Sequence, residues 1–445
     1  MAIFARQALL PEGVAREVRV SFAEGRISEV ETAARPRPGD QQVDYLLPGM
    51  ANLHSHCFQR GFSGLSERRG ASEDSFWTWR EVMYAFALQL NPDQMQAIAA
   101  MACVEMLEAG YARLGEFHYL HHDPEGRRYA DPAEMARRIF AATRDTGIGL
   151  TLLPVFYAHG GFGPKPAGSA QRRFLHDPDA YLRLIEACEA EAQAGERVGM
   201  APHSLRAVEI SQIRALQAAL PGRQMHIHIA EQQQEVEECR AFCGTTPVDY
   251  LMRHIEIDTS WTMIHATHLT GAECEALAQS GAVAGLCPVT EANLGDGLFG
   301  AEAWLAAGGR IGIGTDSNVE ITLAGELRLL EYGQRLKSQR RNALSQGGST
   351  GLRLFNAALQ GGAQSLGAPA PGITPGAAAD VFALRDPFGM EGEAWPDRWI
   401  FGRDLQISDS WVAGRHLVQQ GRHIARDKVE RDYAKVLREL LATAR

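Results

Sequence analysis

Hydrophobic residues recur along most of this chain in two alternating patterns. Short runs that are almost entirely apolar are followed by longer segments in which apolar residues return about every 3.6 positions. Strands buried on both faces read as continuous apolar runs, and amphipathic helices cover them. The strand candidates lie at residues 45–56, 112–119, 147–159, 197–205, 224–231, 261–269, 282–291 and 310–318.

This alternation predicts an α/β protein whose central part, residues 48–373, is a (β/α)8 TIM barrel. Both chain ends differ, since their apolar residues alternate with polar ones and are interrupted by Gly and Pro. We expect residues 1–47 and 374–425 to form one small β-sandwich-like domain, with a C-terminal helix over residues 426–445. Two unrelated edge hairpins are the alternative for the chain ends.

Composition narrows the class of protein. A 45% hydrophobic and 22% charged composition is typical of a globular chain, and the net charge of −10 with a pI near 5.9 argues against nucleic-acid binding. Nearly all positive charge is arginine, which favours bidentate recognition of carboxylates.

Seven cysteines without a C-x-x-C pair fit free thiols in a reducing compartment. No signal peptide or membrane span is recognised, so we expect a cytoplasmic protein that binds neither membrane nor nucleic acid.

The first strand candidate ends in the sequence ANLHSHCFQR, residues 51–60. Side chains at positions i and i+2 of a strand point to the same face, so His54 and His56 would present two imidazoles in one direction. That arrangement suits one metal ion. An isolated pair of this kind is more often a pair of surface or satisfied core histidines, so the interpretation requires further ligands elsewhere in the chain.

Polar residues also end several other strand candidates, where core packing would favour Val, Ile and Leu. In a barrel of this type the active site lies at the carboxyl ends of the strands. Three imidazole nitrogens and one carboxylate oxygen suit zinc and still permit a water ligand. The residues that supply them are His54, His56, His228 and Asp316. The other polar residues near these strand ends are Tyr119, His203, Arg206, Glu231 and His265.

The motifs HSHCFQR, HIHIAE, HATHL and GTDS resemble those of the amidohydrolase superfamily, in particular its one-metal deaminases. Binuclear members carry a bridging lysine on the fourth strand, and RVGMAPHSLR offers none, which favours a single metal ion. Lys165 is more simply explained as a loop residue. The longer motifs GEFHYLHH, APHSLRAV, HIHIAEQQQEVEEC and LCPVTEANLGDGLF resemble formimidoylglutamate deiminases, and this resemblance covers essentially the whole chain.

The resemblance implies hydrolysis of N-formimidoyl-L-glutamate to N-formyl-L-glutamate and ammonia, a step of histidine degradation, by attack of a metal-bound hydroxide on the formimidoyl carbon. It also implies one divalent ion, Zn²⁺ or alternatively Fe²⁺, and a homodimer. Glu231 is the candidate proton shuttle. His265 would polarise or hold the reacting group, and Asp316 would both bind the metal and accept a hydrogen bond from the attacking water. His268 is interpreted as structural.

A substrate with two carboxylates requires cationic partners. Arg206, close to His203, is the candidate for a bidentate carboxylate clamp. The resemblance implies that Gln59 and Tyr119 add hydrogen bonds to the substrate. Arg80 lies in SFWTWREVMY, where it could bind substrate, in its own or a neighbouring subunit, or simply stack on the tryptophans. Local turn chemistry accounts equally well for Ser204, Asn293 and Asp296.

Two other functions remain open from sequence. The chain could be another one-metal deaminase, acting on guanine, cytosine or S-adenosylhomocysteine, whose flat rings need stacking surfaces. It could also be a non-catalytic barrel that holds a metal ion as a scaffold, since structural zinc sites are closed by four protein ligands. Glu231 and His265 beside the ligand set disfavour the scaffold, which has no use for them.

Overall fold

The computed structural model describes residues 1–67, 75–390 and 392–443. Strands and helices alternate through the middle of the chain, and strands dominate both ends. The strands are β1 (Ala2–Leu10), β2 (Gly13–Ala23), β3 (Arg26–Glu31), β4 (Gln41–Pro48), β5 (Met50–Ser55), β6 (Tyr111–His118), β7 (Gly149–Phe156), β8 (Arg197–Val198), β9 (Ala201–Pro202), β10 (Met225–Ile229), β11 (Trp261–His265), β12 (Val283–Leu286), β13 (Arg310–Ile313), β14 (Val381–Arg385), β15 (Gln406–Val412), β16 (Arg415–Gln419) and β17 (Arg422–His423).

Most barrel strands are followed by a helix, as parallel strands require a crossover connection. The helices are α1 (Phe76–Ala87), α2 (Pro92–Glu108), α3 (Glu134–Thr146), α4 (Pro178–Glu191), α5 (Ile210–Ala219), α6 (Gln233–Cys243), α7 (Pro247–His254), α8 (Gly271–Gln279), α9 (Pro288–Leu294), α10 (Ala301–Ala306), α11 (Leu323–Ser338), α12 (Thr350–Ser365), α13 (Trp395–Phe401) and α14 (Arg426–Thr443).

The central strands close into a parallel barrel. β5, β6, β7 and β8 are hydrogen-bonded in that order, β9 continues beside β7, and β10 to β13 form the second series. Isolated parallel bridges join the two series, at Met200 with Met225 on one side and at Ser55 with Asp316 on the other. The TIM barrel predicted from sequence is confirmed, and its closure sets the strand that carries His54 and His56 beside the segment that carries Asp316.

Both chain ends contribute to one eight-stranded sheet, in the order β17-β16-β15-β14-β4-β1-β2-β3. Only β1 and β4 pair in parallel; the other pairs are antiparallel. The alternating pattern of the ends has its cause here, because one face of the sheet packs on a core of its own that includes Ile3, Val20 and Trp411. The predicted sheet domain from both ends is confirmed as part of the fold, while its bounds at residues 1–47 and 374–425 stay a prediction.

The first strand candidate, residues 45–56, is two strands and not one. β4 belongs to the terminal sheet and β5 to the barrel, and the chain changes sheet at Gly49. A Cβ atom at Gly49 would lie 2.6 Å from the Cβ of Ala112, so only glycine permits this close passage beside β6. Apolar residues continue through the junction because both strands are buried. The boundary between the two strands is therefore not visible in the sequence.

The predicted C-terminal helix is present as α14, and residues 444 and 445 lie outside the described residues. It is anchored near the barrel by Tyr433, whose hydroxyl donates to the carbonyl of Arg60 at 3.0 Å. Within the described parts of the chain, no helix has the length and apolar character needed to cross a bilayer.

Candidate metal centre and active site

Four predicted ligands converge inside the carboxyl end of the barrel. The Nε2 atoms of His54 and His228 are 3.1 Å apart. Oδ1 of Asp316 lies 3.3 Å from Nε2 of His54 and 3.2 Å from Nε2 of His56. All four ligand atoms lie within 4.8 Å of one another, and all four residues are buried. The structure therefore brings together the complete set of metal ligands predicted from sequence.

Backbone carbonyls orient two of these imidazoles. Nδ1 of His56 lies 2.9 Å from the carbonyl oxygen of Phe117, and Nδ1 of His228 lies 3.2 Å from that of His203. A proton on Nδ1 satisfies the carbonyl and leaves the lone pair of Nε2 directed at the centre. These contacts select the tautomer that a metal ion needs.

The charges at the centre also fit a cation. Burial lowers the pKa of His54 to about 3 and lowers that of His228 well below its ordinary value, so both rings are neutral near pH 7. Burial opposes ionisation of Asp316, yet its contacts with His54 and His56 hold its pKa well below the usual range. Neutral imidazoles and a carboxylate around one point form a donor set that a divalent ion satisfies.

The backbone is strained where it delivers these side chains. Non-glycine residues with positive φ cost about 1–3 kcal/mol each and persist where their surroundings hold them. Several cluster at or shortly after the ends of β10, β11 and β13, with φ between 45° and 66°: Ala230, His265, Ala266, Asp316 and Asn318. The amide of Asn318 helps to hold one of them, because its Nδ2 donates to the carbonyls of Asp316 at 3.0 Å and His56 at 3.2 Å.

The residues predicted to act in proton transfer lie beside the predicted metal ligands. Nε2 of His265 lies 3.8 Å from a carboxylate oxygen of Glu231 and 3.7 Å from Oδ2 of Asp316. Burial disfavours charge on His265, but Glu231 and Glu291 raise its pKa to about 10. Burial raises the pKa of Glu231, against the opposing effects of His265 and Arg206. The predicted shuttle and polarising residue are therefore neighbours.

Glu291 was not predicted. Its Oε1 lies 3.2 Å from Nδ1 of His265 and accepts a hydrogen bond from the backbone N–H of Cys287 at 2.8 Å. It thus orients the ring of His265 from behind. A glutamate inside the apolar segment LCPVTE was the available signal, since a carboxylate in such a segment needs a partner.

A cavity of about 250 Å³ opens over the metal centre. All the predicted substrate-binding residues line it: Gln59, Arg80, Tyr119, His203 and Arg206. Nε2 of Gln59 donates to the hydroxyl of Tyr119 at 2.9 Å, whereas its Oε1 is buried and has no hydrogen-bond partner among the described residues. Lys165, assigned to a loop, lines the same cavity with an exposed side chain.

Arg206 is a buried arginine of this cavity. It is 8% exposed, and its Nε is buried without a hydrogen-bond partner in the described part of the chain. Its Nη2 lies 3.8 Å from Glu231, and burial disfavours its charge while Glu235 and Glu231 raise its pKa. The guanidinium carbon also lies 5.6 Å from the ring centre of Trp77.

Arg80 both stacks and lines the cavity, so the two alternatives weighed from sequence are compatible. Its guanidinium carbon is 4.4 Å from the ring centre of Trp77 and 5.5 Å from that of Tyr84.

Of the residues assigned to turns, Ser204 lies 3.1 Å from Nδ1 of His203 and Asn293 donates to Glu67 at 2.9 Å. All seven cysteines are free thiols, as expected.

Comparison with known proteins places this geometry in a family. Residues 45–406 match the Amidohydrolase family, and residues 1–44 match the family described as Formimidoylglutamate deiminase HutF, N-terminal domain. This chain belongs to the amidohydrolase family. Membership agrees with the observed fold, because solved amidohydrolases share it: a crystal structure of an amidohydrolase from Brucella melitensis, 50% identical, superposes with a TM-score of 0.97 over 99% of both chains.

Two curated relatives of this amidohydrolase bear on its chemistry. A formimidoylglutamate deiminase of Pseudomonas aeruginosa is 49% identical over 99% of both sequences. A 5-methylthioadenosine/S-adenosylhomocysteine deaminase of Natronomonas pharaonis is 26% identical over 84% of this chain and 81% of that protein. The family and the buried ligand set together indicate a metal-dependent hydrolase.

Proposed function

We propose that this amidohydrolase converts N-formimidoyl-L-glutamate and water to N-formyl-L-glutamate and ammonia. One observation carries the substrate assignment: Arg206 is a buried guanidinium with an unused donor, Nε, in the cavity above the metal centre. A buried cation whose donors are not all used is costly unless a ligand completes its hydrogen bonds. A carboxylate is the group that matches a guanidinium in geometry and charge.

The charge distribution of the cavity matches the polarity of this substrate. Arg80 and Arg206 would hold the two carboxylates of the glutamate part, and Glu231 with the metal ligands lies below them. The formimidoyl group carries a positive charge when protonated, so its favourable place is beside the carboxylates. The buried Oε1 of Gln59, which lacks a partner among the described residues, would accept a hydrogen bond from an N–H of that group.

A divalent ion held by His54, His56, His228 and Asp316 would supply Lewis acidity and ease deprotonation of water at neutral pH. Glu231 takes a proton from the attacking water and delivers it to the departing nitrogen, which leaves as ammonia. Its raised pKa suits a group that must both accept and release a proton. His265, protonated between Glu231 and Glu291, donates a hydrogen bond toward the reacting carbon's new oxygen.

Ring deaminases need open aromatic faces, and the cavity does have aromatic walls. Trp77, however, carries the guanidinium groups of Arg80 at 4.4 Å and Arg206 at 5.6 Å from its ring centre. These contacts engage the aromatic surface on which a nucleobase would stack. A dianionic open-chain substrate is therefore favoured over guanine, cytosine or S-adenosylhomocysteine.

We infer further that the metal is a single Zn²⁺, because three imidazole nitrogens and one carboxylate oxygen suit zinc, with Fe²⁺ as the alternative. The resemblance to formimidoylglutamate deiminases also leads us to expect a homodimer in the cytoplasm. Elemental analysis of protein purified without added metal and size-exclusion chromatography with light scattering test these expectations.

Steady-state assays of ammonia release test the proposed reaction. N-formimidoyl-L-glutamate should be turned over with a kcat/KM at least about 10³-fold above that for guanine, cytosine or S-adenosylhomocysteine. Guanine and cytosine carry no carboxylate and S-adenosylhomocysteine carries one, so none of them can pair with both arginines. A higher kcat/KM for any of the ring substrates would overturn the substrate assignment. Metal-free protein with full activity would overturn the mechanism.

A further inference from the structure

Asp296 lies between the loops that carry the acid–base residues of the site. We propose that Asp296 is a positioning residue, which keeps Glu231 and His265 in their relative places by linking the segments that follow β10, β11 and β12. This inference deepens the proposed function and rests on it. Local turn chemistry, the explanation available from sequence, does not account for its contacts to the two separate segments that follow β10 and β11.

Two contacts of Asp296 reach other segments, and a third lies within its own segment. Its Oδ1 accepts a hydrogen bond from the side-chain amide of Gln232, the residue next to Glu231. Its carbonyl oxygen lies 2.8 Å from Nε2 of His268, in the segment that begins at His265. Its backbone N–H donates to the carbonyl of Glu291 at 2.9 Å.

Glu291 connects Asp296 to His265. This residue orients the imidazole of His265 through Nδ1 at 3.2 Å, and it also accepts the backbone hydrogen bond of Asp296. Asp296 is 4% exposed and does not line the substrate cavity. A residue in that position acts on the reaction through its neighbours and not by touching substrate.

The surroundings of Asp296 favour its neutral, protonated form. Burial raises its pKa to about 9, Glu231, Glu291 and Asp316 raise it as well, and His265 opposes them. A protonated Asp296 can stand near Glu231 without adding a second negative charge there. Its Oδ2 is buried and unpartnered among the described residues, so no charged partner requires an anion at this position. An amide of the same shape should therefore replace the carboxylic acid.

Four variants test the proposal in the full-length, metal-loaded protein: Asp296→Asn, Asp296→Ala, Gln232→Ala and the double variant Asp296→Ala with Gln232→Ala. Asp296→Asn should stay near wild-type kcat, because it retains an acceptor for the Gln232 amide. Asp296→Ala should lose about 10- to 100-fold in kcat, the cost of a misplaced catalytic group. KM should change by less than about threefold, because substrate binding is left intact.

The double variant reveals the route of the effect. If Asp296 acts through Gln232, the double variant should lose no more kcat than Asp296→Ala alone, so the two effects are not additive. Asn293→Ala is the matched control, because Asn293 lies in the neighbouring helix α9 and contacts Glu67 instead. It should retain the kcat of the wild type.

A readout independent of turnover separates this proposal from the proposed function. Amide hydrogen exchange of a peptide spanning residues 229–234 should rise in Asp296→Ala and Gln232→Ala and stay at the wild-type level in Asp296→Asn. If the wild type fails to hydrolyse N-formimidoyl-L-glutamate, the proposed function falls and this exchange pattern still decides the structural role. Unchanged exchange in Asp296→Ala, or Asp296→Asn as impaired as Asp296→Ala, would overturn the positioning role of a neutral Asp296.

Discussion

The Nε2 atoms of His54 and His228 lie 3.1 Å apart although 174 positions separate the two residues in the chain. Both rings are neutral near pH 7, because burial lowers their pKa values. The Nδ1 contact of His228 with a carbonyl leaves the lone pair of its Nε2 directed at His54. A shared cation would bind this lone pair together with a nitrogen of the neutral His54 ring. The arrangement is therefore that of a metal site.

Removing the carboxylate ligand should empty this site. Asp316→Asn should lower metal affinity by more than about 100-fold, because the neutral amide removes the negative charge from the donor set. Metal content after dialysis, measured by mass spectrometry of the elements, checks this, and activity should fall in parallel. His226→Gln is the matched control, because this buried histidine of the same strand β10 as His228 contacts the carbonyl of Ser365 at 2.9 Å. Retention of wild-type metal content in Asp316→Asn would contradict the ligand assignment.

Glu231→Gln should separate metal binding from catalysis. The amide cannot accept the proton of the attacking water, so kcat should fall about 10²- to 10⁴-fold while the metal remains bound. Ammonia release and metal content are measured on the same preparation. Glu237→Gln, an exposed position on α6, is the control and should leave both unchanged. Undiminished kcat in Glu231→Gln would show that another group moves the proton.

Arg206→Lys tests the carboxylate clamp. Lysine keeps the positive charge but offers no planar pair of donors, so kcat/KM for N-formimidoyl-L-glutamate should fall about 10- to 100-fold. Most of the loss should appear in KM, since the contact is made already in the bound substrate. Arg214→Lys, an exposed arginine on α5, should behave as the wild type. Equal kcat/KM for Arg206→Lys and the wild type would contradict the assignment of Arg206 as a carboxylate clamp.

A second group of buried histidines predicts the pH dependence of stability. The ring centres of His121 and His122 lie 4.6 Å and 4.7 Å from that of His176. Burial, and then His122, lowers the pKa of His176 from 6.5 to about 4. Between those values the unfolded chain binds the proton and the folded chain does not, so stability rises with pH. The free energy of unfolding should therefore fall as pH drops from 6.5 toward 4.

His176→Gln should reduce this slope by up to about 1.4 kcal/mol per pH unit, the linkage of one proton. Urea unfolding at several pH values measures it, and His254→Gln, an exposed histidine on α7, serves as control. A slope identical to that of the wild type would show that His176 titrates normally in the folded protein.

Residue patterns alone were sufficient to predict the barrel, the sheet from both ends and the four residues that converge as candidate metal ligands. The reason is physical: buried parallel strands must be apolar along their length, so a histidine, glutamate or aspartate at a strand end has no packing role and is conspicuous. His54, His228 and Asp316 were visible in this way. The change of sheet at Gly49 could not be predicted, because both adjoining strands are buried and both consist of apolar residues.

What only the tertiary structure decided is which distant groups meet. The orientation of His265 by Glu291, the unused donor of the buried Arg206 and the contacts of Asp296 with Gln232 and His268 depend on how separate loops pack at the end of the barrel. The local sequence does not indicate these contacts between loops, because each residue has an adequate explanation within its own segment. Interaction energies and pKa shifts arise from the neighbours that folding supplies, and those neighbours lie far away in the chain.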